Sequence, residues 1–284
     1  MSVLSGLLRV AYGRYVPEPV RNALRLNLLL LQRDREPVRT EAPAGRIVVL
    51  APHMDDEVFG CGGTLAKAAA GGGDVTVVFM TDGRKGYAAA ARAGRAPAEI
   101  AAWETRLSAT RKEESRQAAK ILGYRDALHL DLPDGALACT TAAVERVATA
   151  LRSLQPDAVF LPFLTDIHHD HWLTNAVFAE AARAAALGRD VACWGYEVWT
   201  PVPANAVVDV TDVFEQKSRA MDVFTSQTEY EYQRAIVALN GYRSFFTTRG
   251  AGFAEAFYVA PLPIYLGLYR AVAVGHRRTR AAPR

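Results

Sequence analysis

Two short stretches concentrate the groups that can hold a metal and move a proton. Pro52-His53-Met54-Asp55-Asp56-Glu57 puts one imidazole beside three carboxylates. Asp166-Ile167-His168-His169-Asp170-His171 adds three imidazoles and two carboxylates, so four of the six histidines of the chain lie in these two places. A helix start preceded by acids favours a cation nearby, because the helix dipole alone cannot neutralise them. Imidazole with carboxylate suits Zn²⁺ or Fe²⁺ better than Ca²⁺ or Mg²⁺, which prefer all-oxygen sites. His53 and Asp56 come from one tight loop, and a histidine of the second stretch can complete a set of three ligands. Three protein ligands and one open position mark a catalytic zinc site. The acids left over divide into groups that orient ligands and a general base.

The elements around these stretches place them at strand ends. Ile47-Val48-Val49-Leu50 is a short continuous apolar run, as a buried parallel strand requires. A helix is expected over Thr64–Ala70, a strand over Val75–Met80, and a long helix over Ile100–Leu122, stopped by a left-handed cap at Gly123. A short strand at Leu128–Leu130, a helix over Thr141–Leu154 and a strand at Ala158–Leu161 follow. A helix over Trp172–Ala186 and a strand over Val191–Tyr196 complete a β-α-β-α rhythm that argues for a parallel sheet covered on both faces. Beyond Pro201 the pattern loosens into a short strand near Val207-Val208 and helices near Val213–Phe224 and Glu229–Leu239. In open α/β sheets ligands bind beyond the carboxyl ends of the strands. All four of the first strands end in acids: Asp55-Asp56-Glu57, Asp82, Asp131 with Asp134, and Asp166 with Asp170.

Other classes are excluded by composition and spacing. Lys+Arg 33 against Asp+Glu 30 gives +3, too weak a balance to point to nucleic acid. Cys61, Cys139 and Cys193 are odd in number and widely spaced, which implies no disulfide framework and suits a reducing, cytoplasmic compartment. No run approaches the ~18 apolar residues of a membrane span. Gly60-Cys61-Gly62-Gly63 fails the dinucleotide pattern, since Leu65 stands where the last glycine belongs, and its neighbouring acids would repel a pyrophosphate.

The motifs as a set resemble the PIG-L/LmbE-like family of zinc-dependent N-acetylglucosamine deacetylases. Pro52 to Glu57 resembles the family's (P/A)HPDDE motif, and His168 to His171 its HxDH motif. Thr81-Asp82-Gly83, the helix series Arg111, Glu114, Ala118 and Leu122-Gly123, the loop Leu132-Pro133-Asp134-Gly135, and Lys217 with Ser226-Gln227 follow further family patterns. The resemblance runs from about residue 46 to about residue 260. It implies a single Rossmann-like three-layer α/β domain with a mostly parallel sheet over 46–270. An N-terminal helical extension over 1–45 and a basic tail over 271–284 would flank it.

By that resemblance His53, Asp56 and His171 would hold Zn²⁺ (or Fe²⁺), and Asp55 would be the general base. His168, protonated, would stabilise the oxyanion or act as acid, with Asp170 tuning an adjacent histidine. Arg111 and Asp134 would contact the sugar. The implied reaction is hydrolysis of the acetamide of an N-acetylated sugar, free or in a glycoconjugate. Two departures stand out: Met54 replaces the usual proline, and Phe224-Thr225-Ser226-Gln227 lacks the usual histidine before the Ser-Gln pair. Neither removes a ligand or the base. The competing readings are an amidase on a larger amide, a non-haem iron oxygenase, which also uses two histidines and one carboxylate, and a metal-stabilised carbohydrate-binding protein without activity. Residues 1–45, rich in Arg and Leu, read as a helix over Val20–Gln32 packed on the domain. The sharper alternative is peripheral contact with an anionic membrane.

Overall fold

Ile47, Val49 and Ala51 join one core layer and Val48 and Leu50 the other, so this strand has no face for water. That explains why its apolar residues run without interruption. The computed structural model describes residues 15–17, 20–21, 24, 36–86, 94–124, 126–227 and 231–280. The helix expected over Val20–Gln32 lies almost wholly outside them, and with it the expected membrane contact.

The strands are β1 (Val38–Thr40), β2 (Arg46–Ala51), β3 (Asp74–Thr81), β4 (Asp126–Leu132), β5 (Ala158–Pro162), β6 (Ala192–Tyr196), β7 (Ala206–Asp209) and β8 (Ala254–Pro261). The helices are α1 (Asp56–Ala70), α2 (Pro97–Leu122), α3 (Thr141–Leu154), α4 (His169–Ala184), α5 (Phe214–Asp222), α6 (Tyr232–Arg243), α7 (Phe245–Thr248) and α8 (Leu262–Arg280). One sheet runs in the order β1-β7-β8-β6-β5-β2-β3-β4. All pairs are parallel except the two made by β8, which lies antiparallel between β6 and β7. Buried residues of α1, α2, α5 and α6 pack on one face, and those of α3, α4 and α8 on the other. The expected three-layer, mostly parallel α/β architecture is therefore the one observed. Among the described residues no helix is long and apolar enough to cross a membrane.

Three differences have physical causes. The sheet already begins at Val38, whose strand pairs with β7, so part of the expected extension belongs to the domain. Helix α8 runs on through residues 271–280. Helix α1 starts at Asp56, eight residues before the expected start; its glycines hide the helical pattern, and those at 60 and 63 are required by close approach of Tyr196 and Val210.

Gly60 shows the need most sharply. A Cβ there would stand 2.4 Å from Cδ2 of Tyr196, a fully buried ring whose hydroxyl donates to Leu50 O at 3.2 Å. The ring cannot swing aside without breaking that bond. Gly60→Ala is expected to destabilise the protein by about 1–3 kcal/mol, the usual cost of overpacking, despite the better helix propensity of alanine. A urea melt of the variant checks this.

Sequence order builds the site. The chain lays down β2, β3 and β4 towards one edge, then crosses to β5 and β6 on the other side of β2. The neighbouring ends of β2 and β5 therefore diverge at a topological switch point, where open α/β sheets bind their ligands. The two histidine-bearing stretches follow those two strands.

Candidate metal centre and active site

The loop after β2 turns sharply before α1. Asp55 has φ 138°, a backbone state that L-residues adopt only under strain. Arg111 of α2 holds the turn: its Nη2 donates to Met54 O at 2.7 Å and to Asp55 Oδ2 at 3.1 Å, and its Nη1 to Gly83 O at 3.1 Å. Met54 is fully buried, so packing and Arg111 supply what the family's proline would have pre-set. The backbone N–H groups of Val58 and Phe59 donate back to Asp55 O, and Asp55 N donates to Glu57.

Three donor atoms converge at Asp56, the first residue of α1. Its Oδ2 lies 3.1 Å from His53 Nδ1 and 3.2 Å from His171 Nε2. Ligands ~2.0–2.1 Å from a tetrahedral zinc lie ~3.3 Å from one another, and the two spacings from Asp56 match that ligand-to-ligand distance. The other nitrogen of each ring faces further carboxylates. His53 Nε2 is 3.2 Å from Asp134 and 3.3 Å from Asp170, while His171 Nδ1 is 3.2 Å from Asp166. A metal-ligating histidine typically has its second nitrogen oriented in this way. Both nitrogens of His171 are buried and neither is aligned for a hydrogen bond, although the carboxylates are near. That misalignment suits a lone pair directed at a point between ligands and not at Asp56 itself.

The electrostatics point to the same need for a cation. Burial opposes charge on His53, but hydrogen bonds to Asp134, Asp170 and Asp56 outweigh it and raise the ring well above its ordinary value. His171 is raised to about 9, where Asp56 and Asp166 overcome the penalty of burial. Burial alone would raise Asp56, yet His171 and His53 hold it well below the usual carboxylate range. Both shifts favour positive charge on the ring pair in the metal-free chain, a charge that a divalent ion can supply instead. Burial pushes Asp55 up to about 7 against the pull of Arg111, and pushes Glu57 up to about 8. Asp134 is held at about 2, because its contact with His53 exceeds the effect of burial.

His168 caps the N-terminus of α4. Burial first, and then the charges on His53 and His171, push its ring down to about 4. These influences disfavour the protonated ring in the metal-free chain. Its Nδ1 accepts from Asp170 N at 3.3 Å, which leaves the proton of the neutral ring on Nε2. Its ring stacks on Trp199 with centroids 5.8 Å apart.

The structure brings His53, Asp55, Asp56, His168, Asp170 and His171 into one cluster, with Arg111 and Asp134 behind it. Among the described residues two groups of three have donor atoms within 4.8 Å of each other: the histidines His53, His168 and His171, and the trio His53, Asp134 and Asp170; Asp56 lies beside both through its contacts with His53 and His171. Asp134 accepts from Lys85 N at 2.6 Å, and Asp170 from Gly135 N at 2.7 Å, so those carboxylates already tie loops together. Asp166 was not singled out as a site residue. Its signal was present, an acid at a strand end two residues before His168. His169 is exposed, and His129 stacks on Phe79 at 5.0 Å, away from the cluster.

A parallel α/β sheet with a histidine–carboxylate centre at its switch point defines a class of metal-centred α/β enzymes. The comparisons narrow it. The PIG-L family, described as GlcNAc-PI de-N-acetylase, matches residues 48–182. The chain is 30% identical to diacetylchitobiose deacetylase of Thermococcus kodakarensis over 198 residues, 64% of this chain and 70% of that one. It is 28% identical to 2'-N-acetylparomamine deacetylase of Streptomyces fradiae over 252 residues, 79% of this chain and 90% of that one. This protein belongs to the PIG-L family of deacetylases.

Solved structures show the same fold. N,N'-diacetylchitobiose deacetylase from Pyrococcus horikoshii aligns with TM-score 0.64 at 23% identity, covering 89% of this chain and 94% of that one. The 4-carboxy-2-hydroxymuconate hydratase GalB from Pseudomonas putida aligns with TM-score 0.63 at 22% identity, covering 77% and 96%. The fold alone therefore does not specify the reaction.

Proposed function

We propose that this protein is a metal-dependent hydrolase that removes the acetyl group from an N-acetylated amino sugar, free or within a conjugate. The observation that carries the proposal is the convergence of His53 Nδ1 and His171 Nε2 on Asp56 Oδ2, with Asp55 held beside them by Arg111. Membership of a deacetylase family supports the reaction class.

In this reading His53, Asp56 and His171 hold the ion, Zn²⁺ or Fe²⁺. A divalent ion bound there polarises the amide carbonyl and makes water a nucleophile near neutral pH. Asp55 takes the proton of the attacking water and passes it to the departing nitrogen, which leaves as the free amine while acetate forms. Arg111 keeps Asp55 in place for both transfers. Neutral His168 offers its Nε2–H to the oxygen that gains charge, as an oxyanion donor does. Asp170, Asp134 and Asp166 fix the rings of the two ligand histidines. Arg111 and Asp134 are buried, so their contribution to the sugar is proposed to run through Asp55 and His53.

The test is product analysis. Protein stripped by a chelator and reloaded with Zn²⁺ or Fe²⁺ is offered N-acetylglucosamine, N,N'-diacetylchitobiose, an N-acetylated aminoglycoside and an N-acetylglucosaminyl inositol. Acetate and primary amine should appear in equal amounts with at least one of them, and only after reloading. A fully reloaded protein that releases acetate from none of the four would overturn the proposal.

A further inference from the structure

Helix α1 contains a break that its glycines at 60, 62 and 63 permit but do not direct. Cys61 has φ −148° and ψ 15°, outside helical values, and no proline is present. In an unbroken helix Gly63 N–H would donate to Phe59 O, and Thr64 N–H to Gly60 O. Here Gly63 N–H donates to Glu255 Oε1 at 2.8 Å and Thr64 N–H to Glu255 Oε2 at 2.7 Å. Phe59 O accepts from Lys217 Nζ at 2.9 Å. Lys217 and Glu255 are themselves paired at 2.6 Å, both fully buried, and Asn240 Oδ1 takes another Lys217 proton at 2.8 Å. An ion pair is thus inserted into the Gly63–Phe59 rung of the helix. Side chains inserted into the ladder are a recognised cause of kinks.

The break is one turn from the reaction centre. Phe59, whose carbonyl Lys217 grips, donates its own N–H to Asp55 O at 2.9 Å. Asp56 opens the same short turn. A continuous helix would rotate this turn relative to His53 and His171, which stand on other elements. The pair comes from α5 and β8, and Asn240 from α6. A buried ion pair is weak evidence for stability, since apolar replacements of similar volume are often neutral or better. Its retention here calls for another role.

We propose that the buried Lys217–Glu255 pair is a positioning device: it holds α1 broken and so sets the direction of the turn that carries Asp55 and Asp56. The inference rests on the reading of those two residues given under Proposed function. Neither Lys217 nor Glu255 touches substrate or metal. Their effect runs through Phe59 and the first turn of α1.

The experiment compares full-length wild-type protein, the charge-neutral Lys217→Met/Glu255→Gln double variant, and Leu151→Ala. Leu151 is fully buried in the opposite core layer, so that variant controls for general destabilisation. Zinc affinity is measured by competition with a colorimetric chelator, and the visible spectrum of the Co²⁺-loaded proteins reports ligand geometry. The double variant should lose roughly 10–100-fold in zinc affinity, the range for groups that orient a ligand. Its cobalt bands should shift, and its kcat at saturating metal should fall with KM unchanged. Leu151→Ala should melt earlier and keep wild-type affinity and spectrum. Wild-type affinity and spectrum in the double variant would overturn the inference, as would an equal loss in Leu151→Ala. Should the double variant not fold, Glu255→Gln alone carries the same comparison and the same criteria. A wild-type protein that binds no zinc would remove the functional reading as well, whereas tight wild-type binding with an unaffected variant removes only this inference.

Discussion

A His171→Ala protein is expected to lose its metal. Removing a group that merely orients a metal ligand costs ~10–100-fold in affinity, so removing a ligand should cost more than ~100-fold. His171 is fully buried, and its Nε2 faces the same Asp56 oxygen as His53 Nδ1. The variant also leaves Asp56 and Asp166 without their shared partner, so the metal-free form should melt earlier than wild type. Metal content after dialysis against a weak chelator measures the main effect, with circular dichroism to establish folding. Full occupancy in the folded variant would remove His171 from the ligand set.

Asp55→Asn is expected to keep fold and metal and to lose roughly 10²–10⁴ in kcat, the usual contribution of a positioned general base. The amide has nearly the same shape and can still meet Arg111 through its oxygen, but it cannot accept the proton of water. The pH dependence gives a second reading. Burial pushes the Asp55 carboxyl up to about 7 in the metal-free chain, and a bound cation lowers it from there. The deprotonated form is the active one, so the wild-type rate should fall as pH drops through a value at or below about 7. That acid limb should be missing from the residual activity of the variant. Wild-type turnover at saturating metal would show that another group is the base.

Much of this was legible from residue spacing, and the limits are physical. The runs at 47–50 and 158–161 are apolar throughout because both faces of β2 and β5 are covered, and so they announce buried parallel strands. Parallel neighbours carry their loops to the same end, which is why His53 and His171, far apart in sequence, could be expected together. The early part of α1 was missed because three glycines mask a helix whose reason is outside it: Tyr196, Val210 and Glu255 press against those positions. β8 was missed because Ala254-Glu255-Ala256 carries a charge in a central strand, and that charge is met by Lys217 and by the N–H groups of Gly63 and Thr64 on distant elements. β1 is three residues long and includes Arg39, too short and too polar to show a period. At the site, sequence suggested which residues gather but not which neighbour each would meet. Arg111 and Asp134 looked like sugar contacts. In the fold Arg111 is committed to Asp55 and two carbonyls, and Asp134 to His53 and Lys85. The lowered state of His168 was also beyond reach, since it comes from burial, from the His53 ring on the other loop and from the neighbouring His171 ring.

The central claim is that one ion sits among His53 Nδ1, Asp56 Oδ2 and His171 Nε2. Anomalous diffraction from crystals of the zinc-loaded protein, with data on both sides of the zinc absorption edge, tests it most directly. The account predicts a single strong peak within ~2.0–2.2 Å of those three atoms, with Asp55 next to it and outside bonding distance. A peak between His53 Nε2, Asp134 and Asp170, or one held by His53, His168 and His171 without Asp56, would contradict it.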